Sequence, residues 1–282
     1  MSVHSGPTSV GPFRPVADHT YVAAVPFEIK GDFELDGETG EINVGLVVGT
    51  EAALLVDAGG TPEQGRLLQA AAAEITDLPL TTVVLTHAHA DHTHGLAGLQ
   101  APTSIAHEST HDRLALDPAT PALPTRVVSL AAAVDLGGGV RVEAVYLGRG
   151  HTGGDLVVVV PDVHVVFAGD LVESSGPPQY GPDSYPHEWP GALDGLLGLT
   201  IDRSVVIPGH GPAMNREEVF EQRSRIAAVS GEISRLGGLG VSVDDAEDRA
   251  EWALPFAAVR EGYLVGVSQA KAAAPVRHLP MV

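Results

Sequence analysis

The stretch Thr86-His87-Ala88-His89-Ala90-Asp91-His92-Thr93-His94-Gly95 puts four histidines and an aspartate into one short segment, directly after the apolar run Thr82-Val83-Val84-Leu85. Single scattered histidines are ordinary surface or core residues. An H-x-H-x-D-H string leaving a strand instead offers imidazoles and a carboxylate from one loop, a donor set that suits a borderline cation such as zinc. Three later segments share this character: Gly150-His151-Thr152-Gly153-Gly154-Asp155, Ala168-Gly169-Asp170 and Pro208-Gly209-His210-Gly211. Each sets a ligand-type side chain beside glycine at the end of an apolar run. Loops at strand ends can converge on one cleft, and glycine permits the close approach that crowded ligands require. The chain has no cysteine, which excludes thiolate ligation, disulfides and a cysteine nucleophile. The serines near the histidines are not set in a nucleophile-elbow pattern.

The elements that must position these residues can be read from apolar periodicity and turn residues. Strands are expected at 21–26, 42–48, 53–57, 82–85, 104–106, 133–136, 140–146, 155–160, 164–168 and 204–207. Helices are expected at 62–76, 92–99, 107–116, 188–199 and 217–236, with a C-terminal helix at 244–270 interrupted at Pro255. The Pro-rich segment 117–125 reads as a connection between halves. Both halves run strands, helix, strand, which predicts an α/β (α+β) chain folded as a four-layer αββα sandwich of two similar halves. The expected domain covers 19–236, preceded by a loose Pro/Gly/Ser-rich arm at 1–18. A C-terminal helical extension and tail, 237–282, is expected to pack on the same domain.

The 282 residues carry 36 acidic and 16 basic side chains, a formal charge of −20, and two of the cations are lysines, Lys30 and Lys271. Such a field repels polyanions, so nucleic acid is not an expected partner. No apolar run approaches the roughly 18 residues of a membrane span, and no leader is visible, so no membrane partner is expected and the cytoplasm is the default location. A small-molecule substrate is the expected partner; nothing in the sequence speaks to oligomeric state.

In order, the segments at Asp57-Ala58-Gly59-Gly60, His87 to His92, His151, Asp170 and His210 resemble the signatures of the metallo-β-lactamase superfamily. The resemblance implies that His87, His89 and His151 bind a first metal, Asp91, His92 and His210 a second, and that Asp170 bridges them. The implied cofactor is two zinc ions, with iron or manganese possible at one or both sites. Asp57 resembles the residue that orients the metal-binding loop by hydrogen bonds from behind. His94 stands where many relatives carry a small residue; it is open to supporting a ligand from behind, to a substrate contact or to being simply a polar residue on the helix. His4, His19, His107, His111, His164 and His278 read as structural or surface residues.

Two dications roughly 3.5 to 4 Å apart bring the pKa of a shared water near neutrality and so supply hydroxide. Asp91 is the candidate to orient it and to move its proton toward a leaving group. The expected activity is hydrolysis of a small ester, thioester, lactone or amide. The commonest zinc β-lactamases carry cysteine where this chain has Asp170, and the aspartate is typical of glyoxalase II-like thioesterases and lactonases, so β-lactamase activity is a weaker alternative. A mononuclear-iron oxygenase of the persulfide dioxygenase kind, using His87, His151 and Asp170, is the other. Substrate contacts are expected from the Pro/Gly/aromatic loop 171–189, at Tyr180, Tyr185 and His187, and from Arg149; Trp189 reads as core. Residues 27–33 are expected on the opposite rim.

Overall fold

Several strands of this chain are apolar at every position, and a strand of that kind needs cover on both faces. The computed structural model describes residues 9–28 and 39–273. In it the chain forms β1 (Arg14–Ala17), β2 (Thr20–Glu28), β3 (Thr39–Val48), β4 (Ala53–Val56), α1 (Pro62–Ala73), β5 (Leu80–Val84), α2 (Ala90–Thr93) with a 3-10 turn at His94–Gly98, β6 (Thr103–His107), α3 (Glu108–Leu116) and β7 (Arg126–Val128). It continues through β8 (Ala131–Asp135), β9 (Arg141–Tyr146), β10 (Leu156–Val160), β11 (Val165–Gly169), α4 (Trp189–Leu199), β12 (Val205–Pro208), α5 (Arg216–Gly238), α6 (Val243–Ala246), a 3-10 turn at Glu247–Arg249, and α7 (Phe256–Ala273).

The first seven strands make one sheet in sequential order, and the last five make a second in the order β12-β11-β10-β9-β8. In each, antiparallel strands give way to a parallel neighbour where a helix intervenes: α1 between β4 and β5, α4 between β11 and β12. A parallel pair needs such a crossover, so the two halves repeat one plan.

The period-2 alternation of strand side chains explains the layers. On β4, Leu54 and Val56 face the second sheet, where they join Leu156, Val158, Phe167 and Ile207. Their neighbours Ala53 and Leu55 face outward and are covered by Leu68 and Ala72 of α1, Leu96, and Leu114 of α3. On β10, Val157 and Val159 turn the other way, onto Leu193 and Leu196 of α4, Val219 and Ile226 of α5, and Val259 of α7. Helices therefore cover the outer face of each sheet, and the architecture is the expected αββα sandwich. Gly45 allows the two sheets to close, since a Cβ there would overlap the Phe167 ring.

Residues 14–17 correct one expectation. They are not part of a loose arm but pair with β2 as an edge strand, because Phe13 is buried in the outer core and draws the segment onto the sheet. Residues 1–8 and 274–282 lie outside the described residues. The boundary expected at 236 falls inside α5, which runs to Gly238 and packs on α7. The C-terminal helices thus belong to the outer layer of the second half. Trp252, just before α7, sets its ring tilted against Phe256 and edge-on to Tyr263. Among the described residues no helix is long and apolar enough to cross a membrane.

Candidate metal centre

Each ligand-type side chain stands just past a strand end on the same rim of the sandwich. Asp57 follows β4; His87, His89, Asp91 and His92 follow β5; His151 lies on the β9–β10 loop; Asp170 follows β11; His210 follows β12. The donor atoms of His87, His89, His151 and Asp170 lie within 4.8 Å of one another, and so do those of Asp91, His92 and His210. Asp170 sits between the groups: its Oδ1 is 3.2 Å from His92 Nε2, and its Oδ2 is 3.2 Å from His210 Nε2, 3.5 Å from His151 Nε2 and 3.7 Å from His87 Nε2. Asp91 Oδ2 is 3.6 Å from the Nε2 atoms of both His92 and His210.

The outward ring nitrogens fix the tautomers. His151 Nδ1 donates to the Gln179 carbonyl at 3.1 Å, and His210 Nδ1 donates to the Glu41 carbonyl at 3.0 Å. His92 Nδ1 donates to Asp57 Oδ2 at 2.8 Å. His87 Nδ1 donates to the Thr86 hydroxyl at 3.0 Å, which in turn donates to Asp57 Oδ2 at 2.9 Å. His89 is reversed: its Nε2 faces Asp183 Oδ2 at 3.4 Å and its Nδ1 points inward. A neutral imidazole with one nitrogen committed as donor presents a lone pair from the other. His89 Nδ1 consequently lies 3.0 Å from His87 Nε2 and 2.9 Å from His151 Nε2, three lone pairs at contact distance. That arrangement is repulsive unless a cation or a proton lies among them, and against the effect of burial Asp183, with Asp170 and Asp91, raises the pKa of His89, so positive charge is favoured at this point.

The charges agree. Burial, with the other rings, holds His87 well below the usual histidine range and brings His151 down to about 4, keeping both neutral. Burial opposes charge at His92 and His210 as well, but Asp170 and Asp91 outweigh it, with Asp57 adding at His92. They hold His92 well above its ordinary range and His210 at about 9. Carboxylates that favour positive charge on two buried rings favour it equally on an ion between them. Asp170 is held well below the usual carboxylate range by the surrounding histidines, although burial alone would raise it. His92 Nε2 and Asp170 Oδ1 are buried with no hydrogen-bond partner, although 3.2 Å apart. A nitrogen-and-oxygen set with orphaned inward atoms fits a divalent metal in each group.

Asp57 is the keystone of the first-half loop. It adopts φ +66, uncommon for a residue with a side chain. In that conformation Oδ1 accepts the Thr86 amide at 2.7 Å while Oδ2 takes the Thr86 hydroxyl and His92. Its carboxylate touches no other ring of the cluster, a geometry suited to holding His92 and the Thr86 loop from behind. Gly209 matters by what it lacks, since a Cβ there would overlap Asp170 Oδ1. Asn43 Nδ2 donates to the carbonyls of Pro208 and Gly211, tying the His210 loop to β3 of the other half. The Phe27 ring lies 5.1 Å from that of His210, which places residue 27 at the rim; residues 29–33 lie outside the described residues.

Other expected contacts need correction. Tyr180 is 5% exposed and packs against Trp189 and the helical layer, so it offers no face to a ligand. His187 Nε2 donates to the Gly266 carbonyl and its Nδ1 accepts from the Ser230 hydroxyl, binding the loop to α7 and α5. Arg149 is paired with Glu188 at 2.9 and 2.5 Å and lies 4.3 Å over the Tyr185 ring. Tyr185 itself lines a cavity beside His89. Trp189 is fully buried, its edge toward His151 and its Nε1 on the Leu171 carbonyl. His94 is half-buried, and burial lowers its pKa against the Asp117 and Asp91 charges; among the described residues its side chain makes no hydrogen bond.

Two residues were missed. Asp183, held down at about 2 by His89 against the effect of burial, sits inside the loop flagged for its aromatics. Asp155 closes the His151 signature and accepts from the Thr152 amide and hydroxyl at 2.9 and 2.7 Å. Its place at the end of a glycine run was the available signal.

Comparison with known proteins matches residues 37–210, well over half of the chain, to the Metallo-beta-lactamase superfamily. The chain is 29% identical to a metallo-beta-lactamase type 2 of Bacillus sp. (strain 170) over 134 residues, 47% of this chain and 52% of that enzyme. It is 27% identical to the type 2 enzyme of Bacteroides fragilis over 197 residues, 68% of this chain and 75% of that one. It is 33% identical to a hydroxyacylglutathione hydrolase of Nitrobacter hamburgensis over 165 residues, 56% of this chain and 57% of that one. The chain thus spans about half the length of the Bacillus relative. In structure it resembles a metallo-beta-lactamase from Pontibacter korlensis (TM-score 0.65, 23% identity, covering 76% of this chain and 98% of that one). It also resembles a metallo-beta-lactamase from Pseudomonas aeruginosa solved in a mono-zinc form (TM-score 0.65, 22% identity, covering 79% and 97%). The fold, the ordered ligand segments and the matched span together place this chain in the metallo-beta-lactamase superfamily.

Proposed function

We propose that the chain is a metal-dependent hydrolase holding two zinc ions and acting on a small ester, thioester, lactone or amide. His87, His89 and His151 would hold one ion, Asp91, His92 and His210 the other, and Asp170 both. The observation that carries this reading is the convergence of His87 Nε2, His89 Nδ1 and His151 Nε2 at 2.9 to 3.0 Å, each ring with its other nitrogen committed outward. Divalent ions, when bound, supply Lewis acidity and a hydroxide nucleophile from water at neutral pH.

The chain's own groups do the rest. Asp170 spans the two groups with a hard oxygen donor, and Asp57 keeps the His92 lone pair inward. Asp91, 20% exposed and 3.6 Å from two rings, is the carboxylate placed to take a proton and deliver it to a leaving group. An aspartate at 170 in a chain without cysteine supports acyl substrates of the thioester and ester kind, as does the likeness to a protein named hydroxyacylglutathione hydrolase. The names of the β-lactamase relatives make lactams the next class to assay.

The test is metal quantification and turnover on one sample of purified protein. Two zinc ions per chain with hydrolysis of an ester, thioester or lactone is the expected result. One iron per chain with oxygen consumption would overturn the hydrolase and select the oxygenase built on His87, His151 and Asp170.

A further inference from the structure

A cavity of about 140 Å³ opens beside the candidate metal centre, its walls including Ala88, Ser109, Arg113, Thr152, Asp183 and Tyr185. Three of these adjoin the centre directly. Ala88 lies between His87 and His89, Thr152 follows His151, and Asp183 faces His89. A group lodged in this cavity is therefore part of any molecule whose reacting atoms meet the His/Asp cluster.

Arg113, exposed on α3, is the one cation in that wall, and among the described residues no ion pair or hydrogen bond engages it. The acids of its own helix and of the helix end are engaged elsewhere: Glu108 accepts from Ser129, Asp112 meets His111, and Asp117 accepts the Ala119 amide. Asp183, also in the wall, is engaged by His89. Arg149, the cation the sequence favoured, is taken by Glu188 and stiffens the Tyr185 wall by lying on its ring. In a chain of net charge −20, an uncompensated guanidinium facing a cavity lacks the carboxylate it is shaped to bind.

We propose that Arg113 anchors a free carboxylate on the substrate, whose acyl group reaches from this cavity to the His/Asp cluster. The proposal rests on the hydrolase reading above and names its substrate class: a small ester, thioester or amide carrying one remote carboxylate. A single guanidinium in a wall that also holds the Asp183 carboxylate suits a monoanion, and a phosphate dianion would meet repulsion without a second cation. The volume, close to the roughly 150 Å³ that accommodates benzene, limits the anchored part to a short chain or one ring.

The full chain loaded with zinc is assayed on 4-nitrophenyl hemisuccinate and 4-nitrophenyl butyrate, esters of equal acyl length that differ in a terminal carboxylate. The wild type is expected to favour the hemisuccinate in kcat/KM by about tenfold or more, carried by KM, as a charge-assisted hydrogen bond would supply. Arg113→Gln should bring the ratio near one, and Arg113→Lys should keep part of the preference. A wild-type ratio near one, or a ratio unchanged in Arg113→Gln, overturns the proposal. If the zinc-loaded protein turns over neither ester, it is the hydrolase reading that fails for these substrates. The anchor is then judged by calorimetry with succinate: binding weakened about tenfold or more in Arg113→Gln upholds it, and equal or absent binding overturns it.

Discussion

Replacing Asp57 by Asn changes one atom's chemistry and leaves the shape, and the structure says where the damage should appear. Asn tolerates the φ of +66 found there, so the backbone need not move. The amide oxygen can still accept the Thr86 amide, as Oδ1 does at 2.7 Å. The NH2 then replaces Oδ2 and meets two donors, the Thr86 hydroxyl at 2.9 Å and His92 Nδ1 at 2.8 Å. The hydroxyl can rotate; His92 can relieve the conflict only by moving its proton to Nε2. That turns the inward lone pair into an N–H aimed at Asp170 Oδ1, 3.2 Å away. Loss of a supporting partner of this kind typically weakens metal binding about 10- to 100-fold, or about 1.4 to 2.7 kcal/mol. The loss should fall on the Asp91, His92, His210 group, because the first group contacts Asp57 only through the Thr86 hydroxyl. Chelator competition at pH 7, read as two stepwise zinc affinities alongside elemental analysis, should show one affinity reduced by that factor and the other changed by less than about threefold. Two unchanged affinities, or equal losses at both, would refute the assignment of Asp57 as the anchor of His92.

Other expectations can be tested with the same preparations. Asp170→Ala should release at least one ion and lower kcat about 100-fold or more; full metal content and activity would disprove its bridging position. Asp183→Asn removes the carboxylate facing His89 Nε2 and should weaken the first-group ion about tenfold with little change in Tm, measured by the same competition. Trp189→Ala empties a fully buried site and frees the Leu171 carbonyl, so urea unfolding should show a loss of about 3 to 5 kcal/mol. Burial lifts the Asp155 carboxyl to about 7 from the 3.8 of an exposed group. Its contribution to stability is then full below about pH 4 and is lost as pH rises through 7. Accordingly, the Tm difference between Asp155→Asn and wild type should shift in the variant's favour from pH 5 to pH 8, and a shift the other way would contradict the raised value.

The candidate ligands were legible from local patterns: His87, His89, Asp91 and His92 crowd one loop after an apolar strand, and His151, Asp170 and His210 each stand beside glycine near a strand end. The order of the strands brings these loops to one rim. The sandwich was legible for a related reason. Fully apolar strands such as β10 demand cover on two faces, and two strand-helix-strand runs supply it.

Chain connectivity beyond that left no local trace. Nothing in an aromatic's neighbours along the chain says that Tyr180 turns inward while Tyr185 turns to a cavity, because the loop backbone decides which side each takes. Arg149 and Glu188 are 39 residues apart, so the pairing that removes Arg149 from the substrate's reach exists only after the halves fold. Two acceptors that fix histidine tautomers, the carbonyls of Glu41 and Gln179, are backbone atoms whose residue types carry no signal. The sequence by itself determined which donor-type residues gather at which strand ends; the tertiary structure alone decided how each ring is turned, since that depends on hydrogen-bond partners contributed by distant segments.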